Sequence, residues 1–296
     1  MDRFETLTAF TTIVDQGGFA AAARTLRVSP TAVTRGLADL EERLGVQLLH
    51  RTTRSVRLTE QGAIFLPRAR QILSDLRDAE RLVIGTVTEP QGTLTVTAPV
   101  VFGRSHVVPI VTELLKRHER LSINLLLFDR LVQIVEEGID IAIRIGELND
   151  SALHAVTLGQ VRRVLVASPA YIEMNGLPKK ISDLKSHHII AFSGLSPNDE
   201  WRFGPDGRSA IQIKPRLIVN SADAGIAAAV QGAGIGRFLS YQVVDEIATQ
   251  RLITVLDDWA PASAPVHLLF QASRAGSPSL RCFIDAATVY IRQAAL

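Results

Sequence analysis

At 296 residues the chain has room for two or three folding units. Its 47% apolar and 21% charged residues are those of an ordinary globular protein, which excludes disordered and collagen-like classes. The net charge of +2 hides a basic run between Arg24 and Arg57, where seven arginines (24, 27, 35, 43, 51, 54, 57) face three acids (Asp39, Glu41, Glu42). Such an excess suits a polyanion, although a solvated face has the same composition.

The first 58 residues predict three short helices and a hairpin. Phe4, Leu7, Phe10, Ile13 and Val14 recur at helical spacing, and Gly17-Gly18 breaks the chain before an alanine-rich helix from Phe19 to Leu26. Ser29-Pro30 supplies an N-cap followed by proline at the first helical position. From there Val33, Leu37, Leu40 and Leu44 form one face, Thr31, Thr34, Arg35 and Ala38 the other, and Gly45 closes the helix. Val46–His50 and Val56–Leu58 can pair as strands around Arg51-Thr52-Thr53-Arg54-Ser55. Two helices joined by a tight turn, the second with an exposed Thr/Arg face, fit a helix-turn-helix, and the hairpin fits its wing. Ser29, Pro30, Thr31, Thr34 and Arg35 are therefore candidates for base and phosphate contact, and Arg51, Thr52, Thr53 and Arg54 for phosphate or minor-groove contact.

Thr59 is a candidate N-cap for a helix running to about Gly85, with Pro67 near its start. Phe65, Ala69, Ile72, Leu76, Ala79 and Val83 alternate at spacings of four and three, the seam of a helix packed on a partner helix. The same three heptads can also pack on the chain's own domain. Glu89-Pro90-Gln91-Gly92 reads as a hinge.

Beyond the hinge, strands alternate with helices. Strands are expected at 94–97, 122–128, 140–143, 161–167, 188–192, 211–219, 234–239, 252–256 and 266–271. Helices are expected at 102–117, 129–137, 221–231, 240–249 and 279–293. This alternation predicts mostly parallel α/β sheets in two lobes, with a ligand cleft at the strand ends. Thr97, Ala98, Pro99 and Val100 leave one strand and enter a helix, where free backbone N–H groups suit an oxygen-rich ligand. Ser221 starts another such helix, as a ligand contact or as a cap alone. Ser193, Arg237 and Phe238 are further candidates for the effector site. So is Arg144, for which a structural salt bridge is the competing role.

The run Phe10…Gly18-Phe19-Ala20-Ala21-Ala22…Leu26…Ser29-Pro30-Thr31-Ala32-Val33-Thr34-Arg35…Leu40-Glu41…Leu44-Gly45-Val46…Leu49…Arg51-Thr52-Thr53-Arg54…Leu58-Thr59…Gly62 closely resembles the LysR-type transcriptional regulators. Thr97–Arg104, Glu136–Gly146, Ala167–Tyr171 and Gly232–Gly236 look like the CrgA-like subgroup, so the resemblance spans nearly the full length. It implies an α+β multidomain protein: a winged helix-turn-helix (1–58), a linker and dimerisation helix (59–88), and a periplasmic-binding-protein-like sensor domain (89–296). Lobe I of that sensor is expected at 91–161 and 266–296, lobe II at 162–265. The implied partners are double-stranded promoter DNA, further copies of the chain as a dimer or tetramer, a small-molecule effector and RNA polymerase. Two departures matter. Many relatives carry Ser-Gln-Pro where this chain has Ser29-Pro30-Thr31, so a glutamine able to bond adenine is missing. A Leu-Pro pair is usual after Gly236, where this chain has Arg237-Phe238-Leu239-Ser240.

Other classes find less to stand on. There is no phosphate loop, no metal-ligand spacing around His187-His188 and no nucleophile–base motif, so neither enzyme, cofactor nor metal is expected. The acidic start Met1-Asp2-Arg3-Phe4-Glu5 does not read as a signal peptide. No stretch reaches the roughly 18 apolar residues of a membrane span. Cys282 is the single cysteine, which leaves no internal disulfide; the reading is cytoplasmic, with no membrane partner. A solute-binding protein without regulatory role fits the last 200 residues but leaves the first 60 without a use.

Overall fold

The computed structural model describes residues 1–51, 56–84, 89–148, 153–192, 200–204 and 206–294. Met1–Thr88, Gln133–Ile139 and Ser273–Ser277 form one compact unit, and Glu89–Val132, Asp140–Ala272 and Pro278–Leu296 form a second.

The first unit opens with helices α1 (Arg3–Asp15), α2 (Phe19–Leu26) and α3 (Pro30–Leu44). Each start is explained locally. Asp2 and Glu5 exchange side-chain and backbone bonds in a capping box, and Ser29 Oγ accepts the Ala32 N–H at 3.1 Å. Gly45, at φ 70°, ends α3 in the left-handed conformation. Leu7, Ala9, Phe10 and Ile13 meet Val33, Leu37 and Leu40 in the core. The antiparallel wing is β1 (Leu49–Arg51) with β2 (Val56–Leu58). The first strand starts later than the expected 46–50. The buried Glu41 carboxylate takes the Leu48 and Leu49 N–H groups at 2.8 and 3.2 Å and so holds the strand's entry to α3. Helix α4 (Glu60–Ile84) follows and continues through Pro67.

The second unit contains two sheets. Its chain runs β3 (Gly92–Ala98), α5 (Val100–Phe102), a π-helical turn (Gly103–Val107), α6 (Val108–Arg117), β4 (Leu121–Leu127), β5 (Ile141–Ile145) and β6 (Leu153–Val161). It then enters β7 (Arg163–Ala167), α7 (Pro169–Asn175), β8 (Ile189–Phe192), β9 (Glu200–Phe203), β10 (Ser209–Gln212) and β11 (Pro215–Val219). Next come α8 (Ala222–Val230), β12 (Ile235–Leu239), α9 (Val244–Ala248), β13 (Ile253–Val255), β14 (Ala264–Gln271) and α10 (Pro278–Ala294). Lobe I is the sheet β4-β3-β5-β14-β6, and lobe II is β11-β8-β12-β7-β13, with β9 and β10 as a separate hairpin.

Four expectations need correction. The sheets are mixed rather than mostly parallel: β14 is antiparallel to β5 and β6, and β7 to β12 and β13. The crossing strands between lobes arrive without the helical crossover that parallel pairing requires. The helix expected at 129–137 is absent; only a turn at 134–138 forms, ended by Gly138 at φ 65°. Its apolar residues do not share a face, since Val132 and Ile134 are buried while Leu131 and Val135 are exposed. The strand expected at 211–219 is two strands, because Pro215 has no N–H with which to continue the ladder. The run 161–167 likewise divides at Arg162, where the chain passes from the lobe I sheet to the lobe II sheet.

Candidate functional site

The outer face of α3 matches its periodicity. Val33, Leu37 and Leu40 are fully buried, whereas Thr31, Thr34, Arg35 and Ala38 are exposed, with Ser29 and Pro30 at the exposed N-terminus. The Thr34 hydroxyl donates to the Pro30 carbonyl at 2.9 Å, which holds its methyl and oxygen in one orientation. Arg51 ends β1, opposite Val56; Thr52, Thr53 and Arg54 lie outside the described residues.

Helix α4 splits the expected seam. Ala69 is fully buried in the winged domain's own core, and Phe65 stacks on Phe10 with ring centroids 5.9 Å apart. Ala69 is thus a core residue of its own domain rather than a partner contact, and Phe65 packs partly buried against that core: three short helices leave an apolar flank that α4 covers. Ile72 stays 43% exposed and Leu76 half-buried, on a face the domain does not use. The side chains of Ala79 and Val83 lie outside the described residues.

In the second unit the two strand–helix junctions come together. Thr97 and Ala98 are buried at the end of β3, while Pro99 and Val100 are half-buried at the start of α5. A carboxylate of the chain serves the start of α5 and a hydroxyl the start of α8. Val100 N–H donates to Asp129 Oδ1 at 3.0 Å, and Asp223, in the first turn of α8, pairs with Arg104 at 3.4 Å across the lobes. Ser221 Oγ accepts from Ala224 N–H at 3.5 Å, so it acts as a cap. Arg144 donates to the Val132 carbonyl, a structural role. Ser193 lies outside the described residues.

Phe238 is a correction. It is buried in the lobe II core, and a methyl placed on Gly225 of α8 would stand 3.0 Å from its ring, so it does not wall a cleft. Strand alternation sends its neighbour Arg237 to the opposite face, where the guanidinium carbon lies 4.8 Å from the centre of the Trp201 ring. Burial, together with the nearby Arg163, brings the Arg237 pKa down to about 10. Sequence reading missed Arg163, Trp201, Asp129 and the ring cluster of His106 with Phe102 and Tyr241, at centroid distances of 4.8 and 5.8 Å. A signal was available for Arg163: it is one of two arginines, with Arg162, inside the otherwise apolar run Val161–Ala167. Burial and the Asp129 charge raise the Tyr241 phenol pKa well above its ordinary value.

Among the described residues, no group of three or more His, Cys, Asp or Glu is placed to hold a metal ion, and no helix is long and apolar enough to cross a membrane. A winged helix-turn-helix, a long helix and two α/β lobes define a DNA-binding protein with a sensor domain. Residues 4–63 match the bacterial regulatory helix-turn-helix of the LysR family, and 88–290 match the LysR substrate binding domain. The chain belongs to the LysR family of transcriptional regulators. It is 31% identical over 282 residues to the transcriptional regulator CrgA of Neisseria meningitidis, covering 95% of this chain and 94% of that protein. A similar relative is the transcriptional repressor PA14_22550 of Pseudomonas aeruginosa, 31% identical over 96% of this chain and 91% of its own. The solved structure of Neisseria meningitidis CrgA aligns with a TM-score of 0.63 at 30% identity, over 97% of this chain and 98% of that one. Full-length AphB of Vibrio cholerae shares the fold, with a TM-score of 0.62 at 21% identity over 98% and 99%. The protein is thus a LysR-type regulator of the CrgA-like group, with a DNA-binding and an effector-binding domain. A solute-binding role without regulation finds no support.

Proposed function

We propose that this regulator reads promoter DNA with the exposed face of α3, through Thr31, Thr34 and Arg35, while Arg51–Arg54 of the wing contact phosphates. The supporting observation is the division of α3 into a buried Val33/Leu37/Leu40 face and an exposed Thr/Arg face on a capped, rigid helix. Phosphate contacts supply affinity and salt dependence, and helix contacts supply selectivity. The chain acts in the cytoplasm as a dimer or tetramer assembled through the exposed face of α4. It communicates with RNA polymerase, catalyses no reaction and needs no cofactor. A small aromatic or carboxylate-bearing effector binds between the lobes near 97–100 and 220–223 and biases lobe closure, a coupling usually worth ~1–3 kcal/mol.

A gel shift with the DNA upstream of the protein's own gene tests the regulatory reading: specific retardation over random DNA is expected, and equal retardation of both would reject it. For the cleft, Ser221→Ala with Val100→Trp should leave operator binding intact and abolish its response to the natural inducer. A normal response would move the effector site elsewhere.

A further inference from the structure

The three short helices of the winged domain all end through a residue in the left-handed backbone region. Gly17 follows α1 at φ 67°, Arg27 caps α2 at φ 56°, and Gly45 caps α3 at φ 70°. Glycine adopts this conformation without steric cost, and a residue with a Cβ does not. Among the described residues three non-glycines have positive φ, and the other two, Gln250 and Leu256, lie in the second unit. The turn itself demands the conformation. Arg27 N–H bonds the Arg24 carbonyl at 3.2 Å and Val28 N–H the Ala23 carbonyl at 3.1 Å, which closes α2 and directs the chain into α3. Closing α2 in this way needs a left-handed residue, but it does not need an arginine.

What arginine adds is an exposed charge. The Arg27 side chain makes no hydrogen bond or ion pair among the described residues. Other cations of this unit are engaged: Arg43 reaches the Thr6 hydroxyl at 3.5 Å, Arg70 pairs with Asp15, and Arg274 with Asp75 at 3.3 Å. A cation also suits the carbonyl end of α2, but Arg24 in its last turn already supplies one. Arg27 stands two residues before Ser29, the N-cap of α3, an interval that spans at most about 7 Å of chain. A recognition helix presents its N-terminal residues to the base edges, so a residue just before its start stands at the rim of the groove, where the phosphates run. The α3 dipole puts partial positive charge at the same end and adds to the attraction for an anion.

We propose that Arg27 grips a DNA backbone phosphate at the rim of the groove that α3 enters, and that an arginine stands at a glycine position for the sake of that contact. This rests on the α3 reading above and adds to it a residue that binds without reading sequence.

The test uses the full-length protein and two labelled duplexes of equal length, one from the DNA upstream of its own gene and one of random sequence, titrated across a potassium chloride series. Arg27→Gly should unfold no earlier than wild type, because glycine suits the turn. It should nevertheless bind both duplexes roughly fivefold more weakly per head and lower the salt slope by about one per head. Arg27→Asn tolerates the left-handed region without a charge and should bind like Arg27→Gly, while Arg27→Lys should keep the slope. If Arg27→Gly does not fold, Arg27→Asn decides. A folded neutral variant with wild-type affinity and slope on both duplexes overturns the proposal. So does a loss confined to the upstream duplex, which would make Arg27 a base contact. A weaker affinity with lowered unfolding temperature and unchanged slope also overturns it, leaving Arg27 a role in ending α2. The variant Thr34→Ala with Arg35→Ala separates the two readings. If it keeps full discrimination while Arg27→Gly loses slope, the phosphate contact stands and its place beside a reading helix is rejected. Lost discrimination in the one and lost slope in the other support both.

Discussion

Gly62 lies so close beneath the Leu48 carbonyl that a methyl group on it would overlap the oxygen and stand 2.9 Å from the carbon. The contact locks the first turn of α4 onto the entry to the wing. Thr59 ties the same place: its hydroxyl donates to the Gln47 carbonyl at 2.7 Å and accepts the Gly62 N–H at 2.9 Å. Gly62→Ala must push these backbones apart, at a cost of about 1–3 kcal/mol for overpacking. Its DNA-binding unit should melt several degrees lower, and operator affinity should fall with it. Wild-type melting would show that the wing entry yields freely.

On α3, Thr34→Ala with Arg35→Ala should relax operator selection, because a lost base contact typically costs ~1–3 kcal/mol. The wing variant Arg54→Ala should instead weaken all DNA alike and reduce the salt slope by about one. Competition gel shifts across a salt series separate the two. Full discrimination by the helix variant would move the reading surface off α3.

Much of the winged domain was legible because its signals are local. Ser29-Pro30, Gly45 and the alternation of Val33, Leu37 and Leu40 act within one helix, and α3 spans the expected residues. The wing's start was not, since it depends on Glu41, seven residues from Leu48, turning its carboxylate inward. Most of the sensor's strands were legible, but β6 (Leu153–Val161) and β9 (Glu200–Phe203) were not expected, nor was the direction of pairing: that of β14 with β5 and β6 is a long-range property that no window of sequence carries. Phe238 and Arg237 show a similar limit. Alternation puts them on opposite faces, but which face is core depends on the Trp201 hairpin and on α8. The heptad spacing along α4 marks apolar positions, yet spacing alone does not say that Ala69 belongs to the domain's own core.

That division of α4 gives a test of assembly. Ile72→Glu and Leu76→Glu put a carboxylate on the face left over by the winged domain, where two copies would oppose like charges and desolvate them. Light scattering should show a smaller oligomer, and operator affinity should drop because each head reads half a site. Ala69→Glu should behave differently and unfold the DNA-binding unit, since Ala69 is fully buried within it. An unchanged oligomer in both Ile72→Glu and Leu76→Glu would place the contact off this helix.

His106 makes the stability of the sensor unit depend on pH. Its ring is stacked against Phe102 and Tyr241, and its Nε2 is buried without a hydrogen-bond partner among the described residues. Burial therefore holds its pKa below the ordinary imidazole value of 6.5. Above 6.5 both folded and unfolded chains keep this histidine neutral, and it adds no pH dependence. As pH falls below 6.5 the unfolded chain takes up the proton first, so stability is lost progressively until the depressed folded-state pKa is passed. His187, whose pKa burial also lowers, adds a parallel loss over the same range. Urea midpoints of the wild type should therefore fall between pH 7.5 and 5, and His106→Phe should fall less, retaining only the share due to His187 and other groups. The phenylalanine keeps a ring in the stack, so the comparison isolates the proton from the packing. Identical pH profiles for the two proteins would mean that His106 finds a partner, or water, when charged.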